Sequence, residues 1–175
     1  MDSTRAIEIE PPGEAPRLIC DVRAYWTGKC TGGRLPAREQ IKPTELKAWL
    51  PHILLVDAEE GYADFRYRLV GSAIAQDFRM PPTGRLMSDV LAPFGADSVA
   101  ETLRIYRRVA QGAQPLRIRG SGDWFSQGAK TFEAILAPLS DNGERVNMIF
   151  GAFVFAWDNT RRAPYESPLA SALKA

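Results

Sequence analysis

One histidine, His52, and two cysteines, Cys20 and Cys30, are the whole imidazole and thiol inventory of this 175-residue chain. A Ser or Cys nucleophile needs a base within hydrogen-bond reach. His52 instead follows a proline at the start of an apolar run, the place of a junction residue that satisfies a backbone group. One His with two cysteines ten positions apart lacks the number and spacing of ligands that a metal site requires. Neither a Gly-x-Ser-x-Gly elbow nor a phosphate-cradling glycine loop is present. Arg34 and Arg38, in Arg34-Leu-Pro-Ala-Arg38, match the spacing of a pair that grips the phosphates and guanine edges of a cyclic dinucleotide. The Asp/Asn-x-Ser-x-x-Gly partner of such a pair is absent downstream, which leaves the two arginines flanking a Pro loop and pairing with carboxylates such as Glu39 or Glu45. Arg68 sits mid-strand among apolar neighbours, where it meets an acidic ligand or pairs with Glu133 or Asp89.

The composition bounds the frame for these groups. With 45% hydrophobic and 25% charged residues, the chain suits one globular domain with a real core. A net charge of +1 supplies no field for nucleic acid. The first residues are too charged and Pro-rich for a secretory segment, and no run approaches the roughly 20 apolar residues of a membrane span. The cysteines then read as reduced thiols, and the location as cytoplasmic. Residues 1–16, rich in Glu and Pro, are expected to be a disordered tail. Residues 17–157 form the domain, with a helical cap over 17–50, and residues 158–175 form a second tail.

Leu18, Ile19, Val22, Tyr25 and Trp26 fall at helical spacing, and Thr44 to Leu50 reads as a second helix, stopped by Pro51. Ile53 to Val56 and Phe65 to Val70 are two strands joined by a turn at Gly61. Gly71-Ser72 starts a short helix and Leu86 to Leu91 makes another. Between Phe94 and Gln111, Val99, Leu103, Tyr106 and Ala110 line one face of a long helix, Arg104, Arg107 and Arg108 the other, and Gly112 is its natural cap. Three strands follow, Leu116 to Gly120, Thr131 to Leu139 and Asn147 to Trp157. The last is apolar at nearly every position, so both its faces must be covered. Its outer face is expected to carry Ile149, Phe153 and Phe155, covered by the Leu18 to Trp26 stripe of the same chain or of a second subunit. That need predicts a homodimer through the N-terminal helix. Trp124-Phe125, between glycines in a hairpin, reads either as an exposed contact pair or as a pair folded back over the sheet edge.

The order predicts an α+β fold: a five-stranded antiparallel sheet with short helices and one long helix inserted between strands 2 and 3, preceded by N-terminal helices. That order resembles the PAS domain. Tyr25-Trp26, Arg34-Leu-Pro-Ala-Arg38, Pro43, Glu45-Leu46, Leu50-Pro-His-Ile, Phe65-Arg-Tyr-Arg-Leu-Val-Gly71, Thr83-Gly-Arg85 and Pro138-Leu139 are similar to the bacterial PAS subfamily that often occurs as a single-domain protein. The resemblance spans Asp21 to Trp157. It implies a cytosolic sensory or protein-interaction module in signal transduction, holding a small-molecule ligand between the long helix and the sheet and performing no catalysis. Tyr67, Phe78, Met87, Leu103, Tyr106 and Phe132 are then the candidate wall and Arg68 the candidate charge. Tyr67 and Arg68 fall on opposite faces unless the strand bulges. Haem versions of the fold need an axial ligand on the long helix, where this chain has no His. Light-driven flavin adducts need a Cys after the short helices, and both cysteines precede the sheet. No cofactor is expected. With no output segment in the sequence, the signal is expected to pass to a partner protein, with no nucleic acid and no membrane involved. A small cone-shaped α+β enzyme of the isomerase or dehydratase type, or a ligand-free PAS dimerisation scaffold, are the rival readings.

Overall fold

The computed structural model describes residues 7–76, 78–124 and 131–156 and arranges them around one antiparallel sheet. Its strands are β1 (Glu8–Ile9), β2 (Ile53–Ala58), β3 (Phe65–Val70), β4 (Leu116–Ser121), β5 (Thr131–Leu139) and β6 (Met148–Ala156), in spatial order β1-β4-β5-β6-β2-β3. The helices are α1 (Arg17–Lys29), α2 (Ser72–Ala75), α3 (Met87–Leu91) and α4 (Ala96–Gly112), the last three inserted between β3 and β4. Five strands stand where the sequence puts them, and β1 adds a sixth at one edge. Trp157, Phe125 and the expected tail at 158–175 lie outside the described residues.

β6 is central, and its apolar sequence follows from cover on both faces. Leu54, Val56, Ile149 and Phe153 face the inner layer of α2, α3 and α4, whereas Ile53, Leu55, Met148 and Phe150 face α1. The parity is thus the reverse of the expected one, since Ile149, Phe153 and Phe155 belong to the inner cluster. A strand without polar alternation carries no signal of which side is which. The outer cover comes from the same chain. Leu18, Ile19, Val22 and Trp26 of α1 are buried on the sheet, and the Trp26 indole Nε1 donates to the Pro138 carbonyl at 3.0 Å. A polar lock fixes the rim, where the Tyr25 hydroxyl and the Lys29 ammonium both donate to Glu45, at 2.7 and 2.6 Å. These two hydrogen bonds hold the Glu45 carboxyl below its ordinary range.

Residues 7–16 are not the tail that their Glu and Pro content predicts. Glu8 and Ile9 pair with Arg119 and Ile118, and the Glu10 amide donates to the Arg117 carbonyl at 2.7 Å. The segment carries little apolar surface, but an arginine of the sheet takes up its backbone carbonyls, an interaction that hydrophobic counting does not register. Thr44 to Leu50 departs from expectation too. It forms successive turns, because seven residues between Pro43 and Pro51 are too few to repay helix nucleation. In α4, Gly112 remains helical and Ala113 takes the left-handed cap conformation, at φ 50°.

One glycine is set by close approach. A Cβ on Gly71, between β3 and α2, would lie 2.3 Å from the carbonyl oxygens of both Leu50 and Pro51. This contact locks the start of the short helices onto the turn that launches β2.

Candidate functional site

The chain leaves β3 through Gly71, returns along its edge, and then lays α4 across the inner sheet face. The Tyr67 amide donates to the Arg85 carbonyl at 3.0 Å, and the Gly84 amide donates to the Tyr67 carbonyl at 2.7 Å. The Thr83-Gly84-Arg85 segment therefore acts as a short extra edge beside β3, and Gly84 supplies the positive φ, 84°, that the turn requires. Asp64 ties the next element in, its Oδ1 accepting from the Phe65 amide at 2.7 Å and the Ser88 amide of α3 at 3.4 Å.

Between α4 and the sheet lies a cavity of about 30 Å3. Leu54, Tyr67, Phe132 and Phe153 form its floor on four strands, with Thr102, Ile105 and Tyr106 of α4 as its roof. Ile74, Phe78 and Leu91 close one side, and Ile7 and Ile118 close the other. Tyr67 packs on Phe78 with ring centroids 5.7 Å apart, and Phe132 stacks on Phe153 at 6.0 Å. The volume is enough for about one or two waters.

Of the residues read from the sequence, Tyr67, Phe78, Tyr106 and Phe132 line this cavity. Met87 and Leu103 are buried in the same inner cluster without reaching it. Arg68 does not enter. Opposite the step from Leu55 to Val56 the β2–β3 register jumps from Leu69 to Tyr67, so Arg68 is the extra residue of a bulge. Its Nε donates to both oxygens of Asp57 at 3.0 Å, and its side chain is 56% exposed. Neither Glu133 nor Asp89 is its partner. The bulge anticipated as the way for both residues to face inward in fact turns Arg68 to solvent.

Tyr67 and Tyr106 are each 3% exposed, and neither hydroxyl has a hydrogen-bond partner among the described residues. Burial pushes both phenols well above their ordinary pKa, with the Asp64 charge adding to the effect at Tyr67 and Tyr67 itself adding at Tyr106. Two neighbouring phenols, with Thr102, thus bring hydroxyl groups to a mostly apolar chamber.

Sequence reasoning missed several wall residues. Leu54, Ile105 and Ile118 sit in apolar elements with no signal that sets them apart from core, and Phe153 is expected on the outer face, whereas all four line the inner cavity. Ile7 gave no signal, because it stands in a Glu- and Pro-rich stretch with no apolar periodicity. The other singled-out groups lie elsewhere. Arg38 Nη1 donates to the Ile41 carbonyl at 2.8 Å instead of pairing with Glu39 or Glu45. His52 Nδ1 lies 3.0 Å from the Phe153 carbonyl, a strand-junction contact. Cys20 and Cys30 are free thiols. Trp124 is 9% exposed and belongs to the inner core, so the exposed reading fails for it: the turn Gly122–Trp124 folds it back against the start of α4, where the Ser98 hydroxyl donates to the Trp124 carbonyl. Among the described residues no cluster of three or more His, Cys, Asp or Glu could hold a metal, and no helix is long and apolar enough to cross a membrane.

A family model described as PAS domain matches residues 16–154. A solved structure, that of an RNA-binding light-oxygen-voltage receptor, aligns with 70% of this chain at 19% identity and a TM-score of 0.39. The chain spans about a third of that receptor, 34% of its length. No curated protein sequence matches the chain.

Proposed function

The chain belongs to the PAS domain family, and from that premise we propose that it is a cytoplasmic sensory module that binds a small molecule in the helix–sheet cavity and passes the change to a protein partner without catalysis. The observation that carries this reading is the mostly apolar chamber between α4 and the sheet, to which Tyr67, Tyr106 and Thr102 bring hydroxyl-bearing side chains. A few polar groups on an otherwise apolar wall are the pattern by which a small-molecule pocket orients its ligand. Five strands, α4 and the short helices all contribute wall residues, so whatever occupies the chamber acts on every element of the inner layer at once.

The size of the chamber favours a second reading, a ligand-free docking module. Its volume, about 30 Å3, is far below the roughly 300–1,000 Å3 of ordinary small-molecule sites. In that case the occupant of interest is a protein, a signalling partner or a second copy of this chain. Solvent extraction of the purified full chain followed by mass spectrometry separates the two. A reproducible small molecule released by the wild type and reduced in Tyr67→Phe/Tyr106→Phe supports the sensor. Its absence, together with unchanged thermal stability across a library of small neutral compounds, overturns the sensor in favour of the docking module.

A further inference from the structure

Residues 7–14 precede the stretch that matches the family, and they wrap around the free edge of β4. The wrap begins on the inner face, where Ile7 closes the cavity. It fits there because β4 carries Gly120 at that point: a Cβ would lie 3.2 Å from Ile7 Cγ1 and 2.8 Å from Phe132 Cε1. The wrap ends on the outer face, where it runs into α1. Between these ends only two residues are paired as strand, too few to hold a segment in place alone.

One side chain does most of the holding. Arg117 lies opposite Ile135, on the outer face, and is 7% exposed. All five of its N–H donors are used. Nε and Nη2 donate to Glu133, at 3.1 and 2.7 Å; Nη1 donates to the Pro11 and Gly13 carbonyls, at 3.2 and 2.9 Å; and Nη2 also donates to the Glu14 carbonyl, at 3.1 Å. Three of five bonds from one guanidinium thus fasten the segment, none of them through the cavity wall.

We infer that residues 7–14 are a releasable plug: a small neutral molecule with an apolar body and a single carbonyl or hydroxyl oxygen takes the place of Ile7, and the segment leaves the β4 edge. This rests on the sensor reading proposed above. The ligand class follows from the wall, which carries no charged side chain, so an ion would lie there unpaired. Tyr67, Tyr106 and Thr102 carry its hydroxyl groups, and these suit one oxygen acceptor. The apolar body replaces an isoleucine side chain. Because the segment continues into α1, its release carries an event in the inner cavity to the opposite face of the sheet.

The test uses cyclohexanone as probe on the full chain, with calorimetric affinity and hydrogen exchange read by mass spectrometry. Ile7→Ala is expected to bind cyclohexanone at least tenfold more tightly than wild type. Arg117→Lys, which leaves every cavity wall intact but cannot reproduce the fork of donors, is expected to gain at least threefold. In the wild type, saturating cyclohexanone is expected to speed exchange of amides in 7–14 while those of β5 stay protected. Arg117→Lys carries the affinity test if Ile7→Ala does not fold. Equal affinity in wild type and folded variants, with exchange of 7–14 unchanged, overturns the plug and leaves the sensor reading standing. No binding of cyclohexanone to any form that retains a native near-ultraviolet spectrum overturns the plug and its ligand class, while the sensor reading is decided by the extraction test.

Discussion

The Arg117 guanidinium meets the Glu133 carboxylate at 2.7 Å on the outer sheet face, with side-chain exposures of only 8% and 17%. Glu133 also takes Arg119 at 3.0 Å, so the pair is the centre of a short cationic and anionic ladder across β4 and β5. Arg68 and Asp57 form a bond of similar length, 3.0 Å, at 56% and 29% exposure. The two pairs differ in solvent access, and that difference decides their energetic weight.

Arg117→Ala is therefore expected to lower unfolding free energy by about 3 kcal/mol, since it removes one member of a buried pair and orphans three carbonyls. Arg68→Ala is expected to cost less than about 1 kcal/mol, because its pair is screened by water. Urea denaturation of both variants at neutral pH checks the ranking; equal losses contradict it.

Gly71→Ala places a methyl 2.3 Å from two backbone carbonyl oxygens that no rotamer change can move aside. The expected loss exceeds about 4 kcal/mol, in the range where a domain of this size loses most of its stability. Gly61→Ala meets no atom within 4 Å and pays only for a φ of 62°, about 1 kcal/mol. Soluble yield and denaturant midpoints of the two variants provide the comparison.

Alkaline pH is expected to destabilise the fold through Tyr67 and Tyr106. Burial raises both phenols, so the folded state keeps them protonated after the unfolded chain begins to ionise near pH 10. Their contribution is complete below that pH and is lost progressively as pH climbs from there toward the raised folded values. Stability curves between pH 8 and 11 are expected to fall more steeply for wild type than for Tyr67→Phe/Tyr106→Phe. Parallel curves would remove these two phenols as the cause.

Removal of residues 1–30 takes α1 from the outer face and bares the cluster around Ile53, Leu55, Met148 and Phe150. A contiguous apolar area of that kind does not stay in water as a monomer. Light scattering is expected to show aggregates or a new oligomer for the truncated chain at concentrations where the full chain is monodisperse. A stable, monodisperse monomer after truncation would show that α1 is dispensable as cover.

The sequence made the topology legible because strands, glycines and prolines mark element boundaries locally: β3 and β5 begin and end where their residues announce it. The long helix was equally plain from its apolar face. What stayed hidden were orientation and closure. The doubly apolar β6 gives no parity signal, so its sequence alone does not assign Ile149 and Phe153 to the inner face they occupy. Arg68 could not be oriented because the bulge depends on how two strands meet, which neither strand encodes alone. Ile7 was invisible for a related reason, since its place depends on a distant arginine, Arg117, and on the missing side chain of Gly120.

The position of β6 also dictates when this fold can exist. Its neighbours are β5 on one side and β2 on the other, and β2 begins almost a hundred positions earlier in the chain, with Ile53 facing Ala152. Until β6 has been synthesised, the β2–β3 hairpin and the β4–β5 hairpin are separate pieces with no common ladder, each exposing unpaired edges. Such distant pairing slows folding, and at ribosomal speeds of about 5–20 residues per second the two halves wait several seconds for the strand that joins them. Ribosome-bound chains ending before Met148 are thus expected to be open to proteases, and addition of a single strand to convert two hairpins into one protected domain.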